Sequence, residues 1–137
     1  MALVHSADSA RVLAALDAFG RARGAPVPVL LEVNCSGEGG KGGFAPADVP
    51  AVGDTLAGLT GLSVRGLMTM AAYSDDPQTA RPAFARLRTL RDQLRARTGL
   101  PLADLSMGMS NDFEVGVEEG ATLVRVGTTL FAGLEGE

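Results

Sequence analysis

Two rhythms of apolar residues alternate along this chain. Short, nearly continuous apolar runs occur at Met1 to Ser6, Val27 to Val33, Val64 to Met70, Leu102 to Met107 and Leu123 to Val126. They are too short for buried helices and suit strands covered on both faces. Between them, apolar residues recur at helical spacing. Val12, Leu13, Leu16 and Phe19 make one face of a helix that Ser6 or Asp8 can cap and Gly24 can stop. Pro46 suits the first turn of a second helix that ends near Gly58 or Gly61.

Asp76 and Pro77 read as the start of a third, long helix. Its inner face is Phe84, Leu87, Leu90 (or the stem of Arg91) and Leu94, Pro82 delays its regular turns, and Gly99 and Pro101 stop it. A short fourth helix spans Asn111 to about Glu119, where Asn111 and Glu114 have capping-box spacing and Gly120 follows. The tail from Thr129 to Glu137 has room for one further turn.

Strands alternating with helices at this spacing predict a parallel sheet in one α/β domain, residues 1–137. Right-handed crossovers place all helices on one side if the sheet curls toward a barrel. Five such units do not close an eight-stranded barrel, and an open five-stranded sheet has two exposed edges. The expectation is therefore a partial barrel whose N-terminal portion is missing. Its exposed edges would invite oligomerisation or pairing with a partner chain.

The composition removes several function classes. The chain has 46% hydrophobic residues and a formal charge of −4, which argues against a nucleic-acid surface or a basic face for anionic membranes. No apolar run approaches the ~20 residues of a membrane span, and no signal peptide is visible. Cys35 is the only cysteine, so no intrachain disulfide or cysteine metal cluster is expected, and a reducing, cytoplasmic setting follows.

The richest stretch chemically is Leu105 to Thr128, LSMGMSNDFEVGVEEGATLVRVGT. It holds two turns at strand C-terminal ends, where parallel α/β proteins bind phosphate through backbone N–H groups. Ser110 adds a hydroxyl donor at one turn and Gly108 permits close approach; Gly127 and Thr128 form the other. Read alone, Ser110-Asn111-Asp112 is most simply a helix cap, and Arg125 inside its apolar strand is equally one half of a structural ion pair. The glycine-rich run 37–43 lacks the spacing of a P-loop and the Ser or Thr after Lys41. Nothing near Lys41 would depress its pKa for nucleophilic work, and His5 has no catalytic constellation. The methionines, Met68, Met70, Met107 and Met109, read as core and barrel-mouth filling.

With these motifs in view, the chain resembles the YggS/PROSC family of pyridoxal-phosphate-binding proteins, which have the alanine-racemase-like barrel (fold-type III). The matching segments are 4–9 (VHSADS), 28–44, 64–70 (VRGLMTM), 105–122 and 124–131 (VRVGTTLF). The resemblance implies the C-terminal five βα units of a TIM-type (β/α)8 barrel. It implies pyridoxal 5'-phosphate as cofactor and a role in vitamin B6 homeostasis, with no residue assigned to catalysis. Ser110 with backbone groups of Met109, Gly127 and Thr128 would hold the phosphate. Arg125 would face the pyridine nitrogen, and Asn34 and Met68 would line the same mouth.

Departures from the family pattern accompany the likeness. The family's cofactor lysine lies on the first barrel strand, while this chain starts at what resembles the fourth. Lys41 matches a family loop lysine, so cofactor binding here is expected to be non-covalent at best. Phe131-Ala132-Gly133-Leu134 also departs from the family's Phe-Gly-x-Arg ending. Two other classes compete: a module that binds phosphate esters non-covalently or completes its sheet with a partner chain, and an amino-acid racemase, for which no base is visible.

Overall fold

The structure is a computed structural model that describes residues 5–35, 43–69, 76–107 and 113–122. Four strands form one parallel sheet: β1 (His5–Ala7), β2 (Val27–Glu32), β3 (Leu62–Met68) and β4 (Asp104–Ser106). Their order in the sheet equals their order in the chain. Four helices alternate with them: α1 (Ala10–Arg23), α2 (Val49–Thr55), α3 (Arg81–Thr98) and α4 (Phe113–Glu118). Sequential order with right-handed crossovers puts the helices on one side of the sheet, the winding of a barrel wall.

The register fixes two faces. Ala7, Leu31, Leu67 and Leu105 stand side by side across the four strands, and all four belong to the core that the helices cover. Phe84, Leu87 and Leu94 of α3 reach that core from above, as the helical spacing predicts. Residues one step along each strand point to the opposite face. Leu30 and Gly66 form one row there, and Glu32, Met68 and Ser106 form the next.

Several predicted details shift. The cap of α1 is Ser9, not Ser6 or Asp8: Ser9 has extended backbone and its side chain accepts from the Val12 N–H at 3.2 Å. The buried stripe of α1 is Leu13, Asp17 and Gly20, while Phe19 is 57% exposed beneath the Arg23 guanidinium. The reason is a close crossing at Gly61, where a Cβ on Gly20 would overlap the Gly61 carbonyl. Asp17 accepts from the Gly61 N–H at 2.7 Å, and the Gly61 carbonyl accepts from the Val27 N–H at 2.8 Å.

β3 begins at Leu62, ahead of the predicted Val64, and contains a bulge. Val64 pairs with Val29 and Gly66 with Leu30, so Arg65 is the extra residue. A Cβ on Gly66 would overlap the Asp104 carbonyl, so β4 can approach only a glycine here. α2 is bracketed by 3₁₀ turns at Pro46–Asp48 and Leu56–Gly58, and Pro46 heads the first of them as expected. Asp76 caps the 3₁₀ turn Pro77–Ala80, which delays α3 to Arg81. Gly24, Gly99 and Gly120 end their helices at positive φ. β4 is shorter than the predicted Leu102 to Met107. The predicted strand at 123–126, the cap at Asn111 and the glycine-rich run around Lys41 lie outside the described residues.

Candidate functional site

The carboxyl ends of β2, β3 and β4 lie level and are laced together. The Val33 N–H donates to the Met68 carbonyl at 2.9 Å, and the Thr69 N–H donates to the Ser106 carbonyl at 3.1 Å. The Thr69 hydroxyl donates to the Val33 carbonyl at 2.6 Å and accepts from the Cys35 N–H at 3.5 Å. Thr69 is 2% exposed, so these bonds form away from water and hold three strand ends in register. Phe44 returns to the same edge: its N–H donates to the Glu32 carbonyl at 2.8 Å, and its carbonyl accepts from the Asn34 N–H at 2.9 Å.

The face turned away from the helices carries Glu32, Met68 and Ser106 in one row at this edge. Met68 is 2% exposed and Ser106 6%, while Glu32 is half-buried. Two of the sequence-predicted site residues, Asn34 and Met68, fall here, each at a strand end. Met109, Ser110, Arg125, Gly127 and Thr128 lie outside the described residues.

The described residues nevertheless bracket the first of the two predicted turns. β4 ends at Ser106, directly before the first of them. α4 follows it and is pinned to α3: Arg81 reaches Glu118 at 2.5 Å and Glu119 at 2.6 Å, and Arg88 reaches Glu119 at 3.1 Å. Those carboxylates raise the pKa of the Arg81 guanidinium, chiefly through the hydrogen bond to Glu118. A six-residue helix is too short to persist without such tertiary support. Beyond α4 the chain returns to the sheet. The Thr122 N–H donates to the Leu105 carbonyl at 2.9 Å, and the Thr122 hydroxyl accepts from the Leu105 N–H at 2.9 Å. The chain therefore reaches residue 123 already paired to β4.

Other features offer no rival chemistry. Grooves of about 250 and 400 Å³ lie between neighbouring helices on the outer layer, one lined by Val49, Leu90 and Leu94 and the other by Leu13, Val52 and Leu59. Among the described residues no three His, Cys, Asp or Glu side chains are grouped to hold a metal, and no helix is long and apolar enough to cross a membrane. Cys35 is buried, and burial pushes its thiol pKa up against smaller opposing effects of Thr69 and Arg86. Sequence reasoning missed Thr69 and Ser106. The available signal was a polar residue at an inward position of an apolar run.

Comparison with known proteins agrees with this geometry. Residues 1–135 match the family described as alanine racemase, N-terminal domain. The chain is 48% identical over 103 residues to the pyridoxal phosphate homeostasis protein of Aquifex aeolicus, covering 75% of this chain and 45% of that protein. It is 43% identical over 128 residues to the protein of that name from Pseudomonas aeruginosa, covering 93% and 54%. The chain thus spans about half the length of the curated relatives it matches. PipY of Synechococcus elongatus, solved without PLP, superposes with a TM-score of 0.84 at 37% identity over 93% of this chain and 60% of that one. PipY with PLP bound superposes with a TM-score of 0.80 at 35% identity over 93% and 59%. The fold is a TIM-barrel-like α/β fold.

Proposed function

The chain belongs to the alanine racemase N-terminal domain family and, within it, to the YggS/PROSC group, and from that premise we propose that it binds pyridoxal 5'-phosphate and serves vitamin B6 homeostasis. The observation that carries the reading is the carboxyl edge of the sheet. Three strand ends are held level there by Thr69, and a fourth segment is delivered beside them by the pairing of Thr122 with Leu105. Carboxyl edges of parallel barrels are where such folds bind ligands.

In this reading the segment 123–126 is a fifth strand beside β4, and the five βα units form one side of a (β/α)8 barrel. Ser110 and Gly127 each follow a paired residue, Leu105 and Thr122, by five positions, so the two turns would sit near one level in this reading. Two turns at one level on adjacent strands suit a single phosphate. The Ser110 hydroxyl and backbone groups of Met109, Gly127 and Thr128 would hold it. Arg125, two residues before Gly127, shares its face and would meet the pyridine nitrogen. A permanently charged guanidinium leaves that nitrogen without a proton. Asn34 and Met68 close the mouth from β2 and β3. Bound pyridoxal phosphate supplies an electrophilic aldehyde on an electron-withdrawing ring.

The donor set fits a phosphorylated, planar, polar ligand: hydroxyls, backbone N–H groups and one cation. Lys41 is the only lysine among these 137 residues, and it matches a loop position, so in this reading these residues by themselves would hold the cofactor non-covalently. The test is a titration of the 137-residue chain with pyridoxal phosphate followed by absorbance. The expected result is saturable binding that dialysis reverses and borohydride does not fix. Absence of saturable binding, or a borohydride-stable label on Lys41, overturns the reading.

A further inference from the structure

Val12, Leu16, Phe19 and Arg23 recur along α1 at steps of four, three and four residues, the spacing of a seam between paired helices. At roughly 100° per residue they share one narrow stripe. The other flank of α1, with Ala10, Leu13 and Ala14, faces α2 across a groove. The stripe therefore lies on the β1 side, where the described sheet ends and no further described helix follows. Val12 and Leu16 are half-buried at the margin of the core, and Phe19 is 57% exposed. Isolated exposed apolar residues are ordinary, whereas an aligned row of three is the pattern that interfaces use. The exposed end of the row is also held in place. The Arg23 guanidinium carbon lies 5.7 Å from the centre of the Phe19 ring. Its Nε donates to the Ala25 carbonyl at 2.8 Å and its Nη2 to the Pro26 carbonyl at 2.7 Å, which leaves Nη1 without a described acceptor. Asp8, at the other end of the helix, is exposed and pairs with no described cation.

We propose that this stripe is the seam of a homodimer, occupied by α1 of a second copy running antiparallel. A two-fold interface makes every contact twice. With its axis between Ala15 and Leu16, the pairing sets Val12 of each copy against Phe19 of the other and brings the two Leu16 side chains together. The same register puts Asp8 of each copy opposite Arg23 of the other, at both ends. The charges select this direction, because a parallel pairing would set Asp8 against Asp8 and Arg23 against Arg23. An arginine stacked on an aromatic ring, with both already ordered, is the make-up of an interface hot spot. A single helix pair falls below the roughly 1,200 Å² of standard interfaces, so the dimer is weak and separates on dilution.

The test is sedimentation equilibrium of the 137-residue chain over a dilution series, with melting temperatures taken at a concentration where it is monomeric. Wild type should pass from dimer to monomer on dilution. Phe19→Asp should raise the dimer Kd at least about 10-fold and keep the monomer's melting temperature, because the side chain is exposed. Asp8→Arg and Arg23→Asp each set like charges against one another at both ends and should weaken the dimer about 3- to 10-fold. The double variant Asp8→Arg/Arg23→Asp restores opposite charges and should associate more tightly than either single variant. A wild type that stays monomeric at every concentration overturns the proposal. So does a dimer that Phe19→Asp leaves intact, or a lowered melting temperature of that variant, which makes the row structural. A double variant no tighter than the single ones overturns the antiparallel pairing.

Discussion

The two ends of the sheet are built differently. At the amino edge the elements approach so closely that backbone meets backbone. Gly20 of α1 lies against Gly61, and the buried Asp17 carboxylate ties α1 to the loop before β3. At the carboxyl edge strands are joined by side-chain bonds through Thr69. One edge is closed by packing of backbone on backbone. The other is held level by hydrogen bonds between strand ends. The division matches barrels in general, where the amino edge serves stability and the carboxyl edge serves ligands.

The largest effects should come from breaking the amino edge. Gly61→Ala puts a methyl group into the Asp17 carbonyl and should cost about 3 kcal/mol by chemical denaturation. Asp17→Ala strands the Gly61 N–H and should cost about 2–3 kcal/mol. Arg21→Ala should cost less than about 1 kcal/mol, because Arg21 is 59% exposed although it pairs with Asp17 at 2.5 Å. Ligand affinity per folded molecule should stay constant across all three. A variant that loses affinity while remaining folded would blur the two edges.

A smaller effect is expected from Thr69→Val, which removes the bonds to Val33 and Cys35 at the carboxyl edge. It should cost about 1–2 kcal/mol and, unlike the amino-edge variants, weaken pyridoxal phosphate binding. Equal affinity in folded Thr69→Val would show that the lacing of the strand ends does not shape the site.

The smallest effect concerns Cys35. Burial raises its thiol pKa above the ordinary 9.0, so the folded chain favours the neutral thiol. The stability it contributes is fully present below pH 9 and is lost as the pH rises through the folded value. Denaturation midpoints of wild type and Cys35→Ala should therefore run parallel at neutral pH and diverge above pH 9, with wild type falling faster. Parallel curves throughout would refute the burial argument.

The strand–helix alternation was legible because apolar runs and helical spacing are local signals. Phe84, Leu87 and Leu94 were readable as the inner face of α3 for that reason. What escaped depended on contacts distant in sequence. Phe19 lost its place in the core to Asp17 and Gly20 because Gly61, some 40 residues on, crosses α1 there. The bulge at Arg65 shifted β3, and no feature of VRGLM announces it. Ser106 belongs to no motif, and only the register sets it beside Met68 on the far face. The predicted phosphate turns came from motif content, and Met109, Ser110, Arg125, Gly127 and Thr128 remain proposals resting on what flanks them.

The central claim is that the carboxyl edge holds pyridoxal phosphate and the amino edge does not. Calorimetric titration of pyridoxal phosphate into wild type, Ser110→Ala and Asp17→Ala, below the melting point of each, tests it most directly. The account predicts saturable binding to wild type, at least about a 10-fold loss in Ser110→Ala from removing a charge-assisted bond, and wild-type affinity in Asp17→Ala. Equal affinity in wild type and Ser110→Ala, or a loss confined to Asp17→Ala, would contradict it.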